Sequence, residues 1–111
     1  MNCLTIVIFQ KPTLYLSLCR SVILFRQPAS DYYEALESYK LCREIIGDAP
    51  SYKLMANPVT AHNYEEALRM GRELEKLDYY WFEEPLFDVD FHGLRRLARD
   101  LDIPIAGTEV L

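Results

Sequence analysis

The sequence predicts an α/β fold, part of a (β/α) TIM-type barrel with parallel strands and about half of a full barrel. Three observations lead there. From residue 31 onward, helix-periodic and strand-like segments alternate with short connections. The strand-like segments are short apolar runs, as expected of parallel strands covered on both faces. Three oxygen-bearing side chains, Asn57, Glu83 and Glu109, follow successive runs at equal steps of 26 residues. Equal ends of successive strands are where such barrels keep their chemistry.

Residues 1–22 form an atypical amino-terminal segment, and 23–111 form the barrel segment. Leu4 to Phe9 is apolar, but no basic residue precedes it, and Gln10-Lys11-Pro12 interrupts it far short of a membrane span. Neither a targeting signal nor a membrane partner is expected. Asp31 with Glu34 three positions on starts a helix, in which Ala35, Tyr39, Cys42 and Ile46 recur at helical spacing before Gly47. Tyr52 to Ala56 reads as a buried strand, and Pro58 holds Asn57 extended at its end. Asn63 and Glu66 make a second cap, for a helix to about 77 whose inner face carries Ala67, Leu68, Gly71, Leu74 and Leu77.

Tyr79 to Phe82 is the next strand, its aromatics assigned to core packing. Asp90 opens a third helix with Leu94, Leu97, Ala98 and Leu101 as its inner stripe, and Ile103 to Gly107 closes the series. Strands separated by helices pair in parallel through right-handed crossovers. A doubly wound sheet obeys the same rules, but no Gly-rich phosphate loop follows any strand, which favours the barrel.

Composition narrows the function. Half of the 111 residues are hydrophobic and 26% are charged, a globular balance. Twelve basic against seventeen acidic residues give a net charge of −5, and no basic cluster points to nucleic acid. Cys3, Cys19 and Cys42 are odd in number and unpaired in spacing, so a reducing, cytoplasmic setting without disulfides or thiolate zinc is expected. His62 and His92 stand without companions at ligand spacing and read as surface or capping residues. Asn57-Pro58 also reads as a turn pair.

Three motifs, Tyr52-Lys53-Leu54-Met55-Ala56-Asn57, Trp81-Phe82-Glu83-Glu84-Pro85 and Ile103-Pro104-Ile105-Ala106-Gly107-Thr108-Glu109, together resemble the mandelate racemase and muconate lactonizing branch of the enolase superfamily. The resemblance covers about residues 26–111. It implies a Mg²⁺-dependent acid-sugar dehydratase or racemase, in which a metal stabilises the enediolate left when a proton departs beside a carboxylate. A hard cation on oxygen ligands offsets the second negative charge that develops there, and a Lys or His base removes the proton.

Position by position, Glu83 matches the second metal ligand and Glu109 the third, while Asn57 stands where the family has aspartate. An amide oxygen can coordinate Mg²⁺ but lacks a carboxylate's charge, so a weakened or lost site is expected. The strand end that carries the family's lysine bases reads Leu24-Phe25-Arg26. Arg26 can hold a substrate carboxylate, but a guanidinium stays protonated and cannot act as the base. The sequence therefore names no catalytic residue.

A full barrel takes about 250 residues, and the family's capping domain and later catalytic strands are not represented. The expectation is a small-molecule carboxylate or acid sugar as partner and no turnover by these residues alone. A non-catalytic barrel fragment that self-associates through open strand edges is the alternative, and a reduced metal-binding module is a third reading.

Overall fold

In the computed structural model, residues 4–8, 14–19, 22–26, 31–47, 53–87 and 89–107 are described, the first three stretches by their backbone pairing alone. Among the described residues three helices and six strands follow one another as β1 (Leu4–Ile8), β2 (Leu14–Cys19), β3 (Val22–Arg26), α1 (Tyr32–Ile46), β4 (Lys53–Asn57), α2 (Tyr64–Lys76), β5 (Trp81–Glu83), α3 (Phe91–Asp100) and β6 (Ile105–Ala106). The strands form a single sheet in sequence order.

The pairings from β3 to β4, β4 to β5 and β5 to β6 are parallel. Parallel strands joined in sequential order by right-handed crossovers must carry their helices on one face. A doubly wound sheet would reverse its strand order and place helices on both. The architecture is thus a segment of a (β/α) barrel, as the sequence predicts. The amino-terminal segment adds a feature the sequence does not announce: β1 and β2 pair antiparallel, and β2 pairs antiparallel with β3.

Local chemistry sets the helix ends. The Asp31 carboxylate accepts hydrogen bonds from the backbone N–H groups of Tyr33 (2.7 Å) and Glu34 (3.1 Å), satisfying two otherwise unpaired donors of α1. Gly47 ends that helix at φ +69°, its N–H donating to Arg43 O at 2.8 Å. The capping box opens α2, with Asn63 Oδ1 accepting from Glu66 N at 2.9 Å and Glu66 Oε1 from Asn63 N at 3.1 Å. Asp90 caps α3 through Gly93 N at 2.8 Å.

Strand positions alternate between two environments. Leu54, Ala56 and Phe82 face the helices and join Tyr32, Ala35, Tyr39, Cys42, Ala67, Met70, Leu74 and Leu97 in one core cluster. Gly71 brings α2 against Leu101, whose methyl groups fill the space a Cβ would take. Burial raises the Cys42 thiol to about 11, so it is an unreactive core residue.

Several expectations are adjusted. The described strands are Lys53–Asn57, Trp81–Glu83 and Ile105–Ala106. The expected start of the first at Tyr52 lies outside the described residues, and its end is Asn57 rather than Ala56. The other two differ from Tyr79–Phe82 and Ile103–Gly107 because ladder pairing rather than apolar run length defines them. Tyr79 is buried ahead of its strand, donating from Oη to Tyr39 O at 2.8 Å. Tyr80 is 45% exposed rather than in the core, with the Lys53 ammonium 4.3 Å from its ring centre. Ala98 is exposed because the buried line of α3 runs through Gly93 and Leu97, one residue away around the helix. On α2, Met70 is fully buried, a position the periodicity passed over.

Candidate functional site at the carboxyl ends of the strands

On the sheet face opposite the helices, Met55 and Asn57 of β4 lie beside Trp81 and Glu83 of β5, since alternate strand residues share a face. Arg26 pairs with Asn57 in register across β3 and β4. Met55 pairs with Trp81 and Ala56 with Phe82, so the next step of the same register brings Asn57 level with Glu83. Arg26, Asn57 and Glu83 therefore end three adjacent parallel strands in one row. Glu83 pairs with Ala106 on β6, three residues short of Glu109. Glu109 lies outside the described residues.

Both described oxygen donors are already engaged. Asn57 is 1% exposed, and its Oδ1 accepts from Val59 N at 2.9 Å, closing an Asx turn. Glu83 is half-buried, and its Oε2 accepts from Trp81 Nε1 at 3.1 Å. The Asn-Pro pair thus forms the turn its sequence suggests. Among the described residues no three His, Cys, Asp or Glu side chains converge on a metal position. Mg²⁺ requires near-octahedral oxygen coordination and favours carboxylates. Of the expected ligands, the described residues supply one carboxylate and one neutral amide, each holding an internal hydrogen bond.

The backbone around this corner is strained. Val59, Thr60 and Glu84 have φ of 57°, 60° and 51°, in the left-handed region that glycine tolerates and β-branched residues resist. Non-glycine residues in such conformations cost about 1–3 kcal/mol each and concentrate at functional sites. Two hydrogen bonds hold the arrangement: Thr60 N donates to Glu84 O at 2.8 Å, and Glu84 N donates to Ala106 O at 2.9 Å. The backbone of Glu84 therefore ties the β4–α2 connection to β6. Its side chain is buried, 2% exposed, so it is not a solvated loop acid.

His62 also departs from expectation. It is 7% exposed, packed against Tyr32 and Phe82, rather than at the surface. The residues that bury it come from α1 and β5, so no local pattern in its own segment could show this. His92 is exposed near the start of α3, as expected.

A one-layer row of parallel strands, helices on the far face and polar groups ending successive strands define a (β/α)-barrel segment with its site at the carboxyl ends. A sequence profile described as enolase C-terminal domain-like matches residues 22–111, and the chain belongs to that family, in the mandelate racemase and muconate lactonizing branch of the enolase superfamily. It is 44% identical over 82 residues to an arabinonate dehydratase of Saccharolobus solfataricus, a match covering 73% of this chain and 21% of that protein.

It is also 42% identical over 69 residues to an L-talarate/galactarate dehydratase of Salmonella typhimurium, covering 62% of this chain and 17% of the other. A mandelate racemase/muconate lactonizing protein of Paracoccus denitrificans, solved in complex with magnesium, superposes with a TM-score of 0.67 at 28% identity, over 75% of this chain and 22% of that one. The chain spans about a fifth of the length of these relatives. Among the described residues no helix is long and apolar enough to cross a membrane.

Proposed function

We propose that this chain carries the opening strands of an acid-sugar dehydratase or racemase site, that it holds Mg²⁺ weakly through Glu83, Glu109 and Asn57, and that it turns over no substrate alone. Support comes from the row of strand ends together with relatives named as acid-sugar dehydratases. Arg26, in register with Asn57, is the proposed contact for a substrate carboxylate, because a guanidinium offers a planar pair of donors to it. When bound, Mg²⁺ would stabilise negative charge developing on that carboxylate. No described residue in the row is a lysine or histidine able to remove the proton.

The single observation that carries the reading is Asn57 at the first ligand position, neutral and committed to Val59 N. Asp accepts the same turn hydrogen bond, so Asn57→Asp adds charge without dismantling the loop. Calorimetric titration with Mg²⁺ is expected to show binding roughly tenfold or more tighter in Asn57→Asp than in the native chain. Glu83→Gln should remove that gain. Equal affinity in the native chain and Asn57→Asp, or indifference to Glu83→Gln, would count against the assignment. Turnover of an aldonate or other 2-hydroxy acid by the native chain would overturn the claim of inactivity.

A second reading, self-association without chemistry, is favoured by a different observation. β1 and β6 stand at the two edges of the sheet, and Tyr33, Ile45, Phe87, Val89 and Phe91 are each more than half exposed. Open edges and exposed apolar groups promote association.

A further inference from the structure

We propose that His62 is an acid-sensitive latch: its neutral ring, wedged between α1 and β5, holds the strained β4–α2 connection against Glu84, and protonation releases that connection. The inference rests on packing and on the loop's backbone, and it stands whether or not the neighbouring corner binds a metal.

The imidazole lies 6.1 Å from the Tyr32 ring of α1 and 6.3 Å from the Phe82 ring of β5, and its Nε2 is buried without a hydrogen-bond partner. A neutral histidine tolerates such a place, but a charged one is left with a buried, unanswered proton. The groups around it do little to compensate. Phe82 carries no charge, and the Tyr32 ring meets the imidazole edge-on. From α2, Glu66 favours the protonated form. Arg69 on the same helix places its guanidinium 4.6 Å from the centre of the Tyr32 ring, the ring that packs against the imidazole. Burial outweighs Glu66 and holds the imidazole below its ordinary value.

The segment that His62 anchors is primed to open. Val59 and Thr60 are both left-handed, with the bonds from Val59 N to Asn57 Oδ1 and from Thr60 N to Glu84 O as described tethers. Opening the loop returns His62 to water and its ordinary value near 6.5. A group whose folded value is depressed contributes stability that is complete above the unfolded value and is lost as pH falls toward the folded one. The closed loop is therefore favoured at neutral pH and weakened progressively below about 6.5.

Amide hydrogen exchange, corrected for intrinsic rates, tests this at pH 7.5 and 5.5 in the native chain and in His62→Phe. Protection of Thr60 N–H is expected to fall by up to about tenfold in the native chain. That of Tyr79 and Leu101, whose bonds lie away from the loop, should change far less. In His62→Phe, Thr60 should keep its protection within about twofold. Constant Thr60 protection in the native chain, or an equal fall in the variant, would overturn the proposal. Should His62→Phe fail to fold, His62→Gln and an NMR titration of the native imidazole decide it, because a ring titrating at or above 6.5 leaves no latch.

Discussion

Phe82→Ala is expected to destabilise the fold by about 3–5 kcal/mol, the usual cost of emptying a fully buried aromatic position. Phe82 is 0% exposed. Its backbone joins β5 to both neighbours: it pairs with Ala56 on β4 and Ile105 on β6, and its N–H donates to Pro104 O at 2.9 Å. Its ring stands in the core cluster beneath the helices and forms one wall around His62. Truncation would thus remove packing for the sheet and for the β4–α2 loop together. Urea unfolding followed by circular dichroism measures the loss, and Phe82→Leu should recover much of it by restoring volume. A cost below about 1 kcal/mol for Phe82→Ala would mean that the strand-to-helix core is not what holds these elements together.

How far such a fold can be read from sequence depends on the range of the interaction involved. The caps at Asp31, at Asn63 with Glu66 and at Asp90 were legible because each is settled within four residues by a side chain reaching its own helix. The order of elements was legible for a related reason, since Gly47, the Asn63 cap and the Asp90 cap punctuate segments whose periodicity changes. Strand ends were less so: Tyr79 and Trp81 look alike as sequence, yet ladder pairing makes only the second part of β5. The antiparallel pairing of Leu4–Ile8 with Leu14–Cys19 was illegible for the same cause.

At the site, Asn57 and Glu83 at the ends of successive strands were legible from their 26-residue spacing, whereas Arg26 entered only through the family resemblance. The commitment of Asn57 to Val59 was visible as an Asn-Pro turn, but which role its oxygen serves is a matter of geometry. His62 was misplaced because Tyr32 and Phe82, which bury it, lie on other elements. The left-handed backbone at Glu84 had no sequence signal, because its links to Thr60 and Ala106 reach segments distant in sequence.

Arg43→Ala is expected to cost about 2–3 kcal/mol, although the residue is outside the core cluster. Its guanidinium donates to three carbonyls: Nε to Leu77 O at 2.7 Å, Nη2 to Asp78 O at 2.8 Å and Nη1 to Gly47 O at 3.1 Å. Two of these acceptors lie at the end of α2, where the last carbonyls have no partner within the helix and the helix dipole favours a cation. The third closes the end of α1 itself. One side chain therefore finishes two helices and fixes the α2–β5 turn, where Asp78 adopts φ 57°.

Hydrogen bonds from charged donors contribute about 1.5–3 kcal/mol each when shielded, but the Asp78 contact is exposed and the three share one anchor, so their sum is discounted. Arg43→Lys tests the geometry, since an ammonium cannot reproduce the planar fork that reaches all three oxygens. It should recover less than half of the loss in denaturant midpoint at unchanged slope. Full recovery by lysine would show that charge near the helix end, rather than the shared fork, is what Arg43 supplies.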